Sequence, residues 1–170
     1  REALLWLGRL KGCVREDRRA VREVRGRAAR VCLAMGRPAL ARRLCRTVLG
    51  GAQAPEAGDP VSVRAFADLA EAAWNVGDYD DARRLAEAGL QALRSEGDAD
   101  ERLTLRNTLG KAALHRADYE GARRLFRLGA EEARAAGRPR QEARALNNLG
   151  VVAQRQGDRR GALEHYRDSL

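Results

Sequence analysis

A period of 40 residues constrains what this chain can fold into more than any other feature. Residues 65–86 contain DLAEAAWNVGDYDDARRLA, residues 105–127 read LRNTLGKAALHRADYEGARRLFR, and residues 145–167 read ALNNLGVVAQRQGDRRGALEHYR. The three segments align without a gap: Ala70, Gly110 and Gly150 stand 40 residues apart, as do Ala82, Ala122 and Ala162. Upstream, GRPALARRL (36–44) matches GDYDDARRL (77–85) at an offset of 41. Within a copy the apolar spacing is helical. Leu105, Leu109 and Ala112 share one helix face, and Ala122, Leu125, Phe126 and Gly129 share another.

Each copy therefore reads as two helices around a short turn. Gly77-Asp78, Ala117-Asp118 and Gly157-Asp158 mark the turns. Glycine closes the first helix by taking positive φ, and aspartate caps the amides that open the second. In the upstream copy Pro38 follows Gly36 and suits a first helical turn. First helices are expected near 19–35, 61–76, 101–116 and 141–156, and second helices near 38–50, 79–95, 119–136 and 159–170. A further helix near 2–15 brings the count to about nine. Residues 50–60, GGAQAPEAGDP, form the one linker rich in helix breakers.

A helical hairpin of this size cannot bury its apolar stripe alone, and stacked neighbours can. The predicted fold is all-α, a right-handed superhelical solenoid forming one unit over 1–170. It divides into a partial repeat at 1–18 and repeats at 19–50, 61–95, 101–136 and 141–170. The first residue is Arg1, and both ends fall where a stack would continue. The chain is thus expected to be a piece of a longer protein, with exposed end faces that favour end-to-end self-association.

These residues resemble the tetratricopeptide repeat. Leu109-Gly110 and Leu149-Gly150 match its leucine–glycine pair, Ala82, Ala122 and Ala162 its second-helix alanine, and Phe126 and Tyr166 the aromatic that follows. The early tryptophan is replaced by Arg106 and Leu146, and the first-helix aromatic by Ala113 and Ala153. With the longer period, these departures resemble the extended subclass found in kinesin light chains, in polarity adaptors and at the ends of bacterial signalling ATPases and kinases.

The resemblance implies that first helices line a concave, peptide-binding groove. Asn148 matches an asparagine that often contacts peptide backbone. Arg144, Asn147, Val151 and Arg155 are expected on the same face. In the preceding copy Asn107, Thr108, Lys111 and His115 follow, then Glu71, Trp74 and Asn75 beside Arg64 and Asp68, and finally Arg27 and Arg30. Helical spacing independently sets Thr104, Thr108, Lys111 and His115 on one face. A carboxamide donates and accepts at once, as an extended backbone requires, and a guanidinium grips carboxylate or phosphate. Trp74 remains open between core packing and a groove anchor. Phe126 and Tyr166 belong to the core.

Composition narrows the function. Residues 1–50 carry 14 basic and 4 acidic side chains, whereas residues 51–170 carry 19 and 20, so the charge of +9 belongs to the N-terminal end. Arg15, Arg18, Arg22 and Arg25 suit one helical stripe that would meet a phosphate backbone by salt-sensitive attraction. No stacking aromatics accompany it. The three cysteines, Cys13, Cys32 and Cys45, form no CxxC pair and are expected to be packing residues. No HExxH, GxSxG or phosphate-cradling glycine loop occurs, and no apolar run is long enough to span a membrane. The expectation is a cytoplasmic, non-enzymatic scaffold or sensor without metal or cofactor. It would be part of a larger bacterial regulatory protein that recognises a peptide or partner domain, other domains of its parent chain included. Nucleic-acid contact through the N-terminal stripe and a purely structural spacer are the alternatives.

Overall fold

The computed structural model describes residues 18–50, 59–93 and 99–170, with side chains from residue 20 onward. Among these residues every regular element is a helix, and there are eight: α1 (Arg18–Ala34), α2 (Pro38–Leu49), α3 (Pro60–Asn75), α4 (Tyr79–Ala92), α5 (Ala99–His115), α6 (Tyr119–Ala135), α7 (Pro139–Arg155) and α8 (Arg159–Asp168). The helix expected near 2–15 lies outside the described residues. Helix α4 ends earlier than its apolar pattern suggests, because Leu93 turns to an extended ψ of 124°.

The turns follow from local chemistry. Gly77 and Gly157 take φ of 84° and 83°, which glycine adopts without a Cβ clash. Ala117 takes the same turn at φ 61° and bears the strain of an alanine there. Asp118 and Asp158 then cap α6 and α8, each accepting from a glycine amide at 2.9 Å, while Asp78 reaches the Asp81 amide at 3.3 Å. At α2 and α7 no side chain caps the helix, and proline occupies the first turn instead.

Every helix packs on its successor, so the hairpins stack in chain order. The first helices also touch one another, α1 on α3, α3 on α5 and α5 on α7. Between hairpin halves the equivalent glycines are contact points. A Cβ on Gly110 would lie 2.4 Å from the Phe126 ring, and one on Gly150 would lie 2.5 Å from Tyr166. The second repeat replaces this glycine–aromatic pairing by alanine on alanine, with Ala70 and Ala86 both fully buried. One apolar core runs from Ala29 and Cys32 of α1 through Phe66 and Leu69 of α3 to Leu105 of α5, and a second joins Ala122, Phe126, Leu149 and Val152. The result is the stacked all-α solenoid that the period predicts.

Candidate functional site

The inner face is built by α1, α3, α5 and α7. Its centre is a set of polar side chains drawn from three repeats. Arg144 of α7 reaches Glu71 of α3, with Nη1 to Oε1 at 3.8 Å, although α5 lies between their helices in the stack. On a flat stack, two helix steps of about 8–10 Å each separate α3 from α7. The two long side chains bridge that span and so bring groups of α3 and α7 together on one surface across α5.

Lys111 lies close enough to both partners to feel their charges. Its Nζ is 4.9 Å from the centroid of the Trp74 ring, in cation–π range. Burial lowers its pKa from 10.5 to about 8, with Arg144 adding repulsion and Glu71 opposing it. Trp74 is half-buried and continues into a ring cluster: Tyr79 is 4.6 Å away between centroids, and His115 is 4.0 Å from Tyr79. Trp74 is therefore neither sealed core nor a bare anchor; it is the wall between Lys111 and Tyr79. The pattern search missed Tyr79, which the Gly77-Asp78 turn delivers to the cluster.

Further along, Asn148 donates from Nδ2 to Oδ1 of Asn107 at 2.7 Å. The two carboxamides form one unit spanning α5 and α7, and each retains donor and acceptor capacity by its chemistry. Asn147, Arg155 and Asn75 are exposed, and Val151 is half-buried. At the other end Arg27 and Arg30 are exposed. Arg30 Nε stands 3.9 Å from Asp68 Oδ2, and Arg64 is hydrogen-bonded to the buried Glu101. Asp68 itself is buried, and desolvation raises its pKa from 3.8 to about 7 against the pull of Arg30. Cys45, buried near it, is pushed up to about 12, chiefly by desolvation and then by Asp68, so its thiol is inert at neutral pH.

Two expectations need correction. Thr108 is fully buried, and its hydroxyl donates to the Thr104 carbonyl at 3.1 Å, so it holds up the groove floor from beneath and is not on the surface. Its register is that of Asn148, but α5 has neighbours on both sides and seals it. Arg22 is not part of an open cationic stripe. Its Nε donates to the Val48 carbonyl at 3.2 Å and its Nη2 pairs with Asp59 at 2.7 Å, tying α1 to the start of α3. Arg25 is half-buried. Arg15 and the Arg18 side chain lie outside the described residues. No helix among the described residues is long and apolar enough to cross a membrane.

The tetratricopeptide-repeat profile matches residues 143–170. No curated protein matches the chain. Among solved structures, BtubC (BKLC) from P. vanneervenii is similar at 22% identity and a TM-score of 0.68, over 86% of this chain and 60% of that one. MamA is similar at 13% identity and a TM-score of 0.60, over 88% of this chain and 76% of that one. YrrB, a tetratricopeptide-repeat protein with an unusual peptide-binding site, aligns at 16% identity and a TM-score of 0.46, over 86% and 83%. The chain thus spans three fifths of the length of BtubC. The likeness to BtubC and MamA is one of fold.

Proposed function

We propose that this chain, a tetratricopeptide-repeat protein, is a non-catalytic protein-interaction module that holds an extended polypeptide along the inner face of α1, α3, α5 and α7. The observation that carries this reading is the Arg144–Glu71 approach near Lys111. It gathers charged, carboxamide and aromatic groups of three repeats onto one surface, where a chain laid across the helices meets all of them. The Asn107–Asn148 pair offers backbone contacts, and Arg144, Lys111, Arg27 and Arg30 offer side-chain selection. We place the repeats at 19–50, 61–95, 101–136 and 141–170 in one continuous unit, acting within a larger bacterial cytoplasmic regulator. The nucleic-acid alternative draws no support from Arg22, whose guanidinium is spent on Val48 and Asp59.

The test is selection of peptides from a displayed random library on the purified chain, followed by titration against Arg144→Ala/Asn148→Ala. Selected peptides should lose about tenfold or more in affinity, which corresponds to about 1.4 kcal/mol. The circular dichroism spectrum of the variant should match that of the parent. Peptides that bind both chains equally would remove the groove from the proposal.

A further inference from the structure

One position of the repeat carries three different polar side chains. Asp68, Thr108 and Asn148 stand 40 residues apart on α3, α5 and α7. Thr108 is satisfied by the Thr104 carbonyl, and Asn148 by Asn107. Asp68 differs. Its side chain is only 9% exposed, its Oδ2 takes no hydrogen bond, and the nearest cation, Arg30 Nε, stops at 3.9 Å. Nearby carboxylates are closed tightly: Asp59 on Arg22 and Asp81 on Arg42, both at 2.7 Å, and Glu101 on Arg64. Glu71 is also loosely held, three residues on from Asp68 and so on the same helix face, with Arg144 at 3.8 Å. Asp68 and Glu71 border a single open cleft of about 360 Å³, with Arg30, Leu33, Asn75 and Thr104 around it.

We infer that this cleft is a socket for one cationic side chain, lysine or arginine, of a bound polypeptide, with Asp68 and Glu71 as its carboxylate partners. The inference rests on the groove reading above and adds the chemistry of the partner. An ammonium carries three donors and no acceptor. Asp68 and Glu71 take two of them, and the Thr104 hydroxyl or the Asn75 carboxamide takes the third. Leu33 supplies an apolar wall for the methylene stem. Arg30, whose side chain is 45% exposed, swings outward to admit the guest. The cleft holds one cation of its own, Arg30, against two acids, so the carboxylates outnumber it once Arg30 has moved aside. The groups that set the charge of Asp68 are Arg30 from α1, Arg64 and Glu71 on its own helix and Glu101 from α5, with the neutral Cys45 thiol from α2 beneath. Burial outweighs them, so Asp68 is ionised above about pH 7 and protonated below it.

The experiment is fluorescence anisotropy on the full chain, with labelled dodecapeptides of alternating Lys and Ala and of alternating Glu and Ala. At pH 8 the lysine peptide should bind, and Asp68→Asn should weaken it by about tenfold, the scale of one charge-assisted hydrogen bond. Lowering the pH to 6 should weaken the parent similarly and leave Asp68→Asn almost unchanged. Glu71→Gln, at a more exposed position, gives a second reading with a smaller loss. Lysine-peptide affinity that is undetectable at pH 8, or unchanged in both variants, overturns the socket. Arg144→Ala/Asn148→Ala separates the two proposals. If that variant alone loses the peptide, the groove stands and the socket falls. If Asp68→Asn alone loses it, the socket stands without the extended groove.

Discussion

The solenoid uses charge in two ways, and its outer side and inner face show the contrast. Between successive second helices, Arg42 of α2 places Nη2 at 2.5 Å from Asp78 and 2.7 Å from Asp81. Arg138 and Asp100 close at 2.8 Å between the starts of α7 and α5. These contacts staple one hairpin to the next. On the inner face Arg30 and Asp68 stop at 3.9 Å, and Arg144 and Glu71 at 3.8 Å. Both sets are made of arginines and carboxylates, so the count of charges does not separate them. Separation does. A staple leaves little to offer a ligand, whereas a buried acid with an oxygen that takes no hydrogen bond costs the fold free energy and leaves a partner something to supply.

The largest test of this contrast is the dependence of stability on pH. Asp68 has a folded pKa of about 7 against an ordinary value of 3.8, so between these limits the folded chain holds a proton that the unfolded chain releases. Its contribution is present in full below about pH 4 and is lost as pH rises through about 7. That amounts to on the order of 4 kcal/mol. Urea denaturation at pH 4 and pH 8 should show the parent losing this much relative to Asp68→Asn, whose amide does not titrate. Asp78, held below the usual carboxylate range by its hydrogen bond to Arg42, works in the opposite direction, which is why the comparison with the variant is needed. Equal slopes for parent and variant would mean that Asp68 is an ordinary paired acid, and the contrast between the two sides would fail at its centre.

A second test sets a staple against a loose pair. Arg42→Ala removes two close carboxylate contacts from a guanidinium that is 20% exposed, leaving Asp81 partly buried. It should cost about 1–2 kcal/mol in denaturant midpoints. Arg144→Ala removes a 3.8 Å contact between partners each about a third exposed, and should cost under about 0.5 kcal/mol. A reversed order would place the structural role on the inner face.

Much of this architecture is legible in the residues. The turns are read from Gly77-Asp78 and Gly157-Asp158 because positive φ and an aspartate cap are local requirements, met within three residues. The inner-face membership of Asp68, Glu71, Lys111, Arg144 and Asn148 follows from helical register. What register cannot supply is depth. Thr108 and Asn148 share a repeat position, yet one is sealed and the other half-buried, because α5 is flanked on both sides. Arg22 looks like one stripe member among several until Asp59, 37 residues on, is brought beside it. The Ala117-Asp118 turn is legible only through its alignment with Gly77-Asp78 and Gly157-Asp158, since alanine by itself does not signal a positive φ.

The smallest test reads the inner face without disturbing it. Lys111 has its pKa lowered from 10.5 to about 8, first by burial, and its ammonium faces Trp74. Raising the pH through 8 removes that charge in the folded chain, while the unfolded chain keeps it until about 10.5, so the folded state gains relative stability over this interval. The same titration changes the field at the indole. The emission of Trp74 should shift with a midpoint near pH 8, seen as the difference between the parent and Lys111→Met, since Trp6 contributes to both. Glu71→Gln should move the midpoint down, because Glu71 is the group that favours the charged lysine. A midpoint near 10.5, or one unmoved by Glu71→Gln, would mean that the Lys111 ammonium stays in water. The inner face would then be no drier than the outer one, and the distinction between staples and open charges would lose its physical basis.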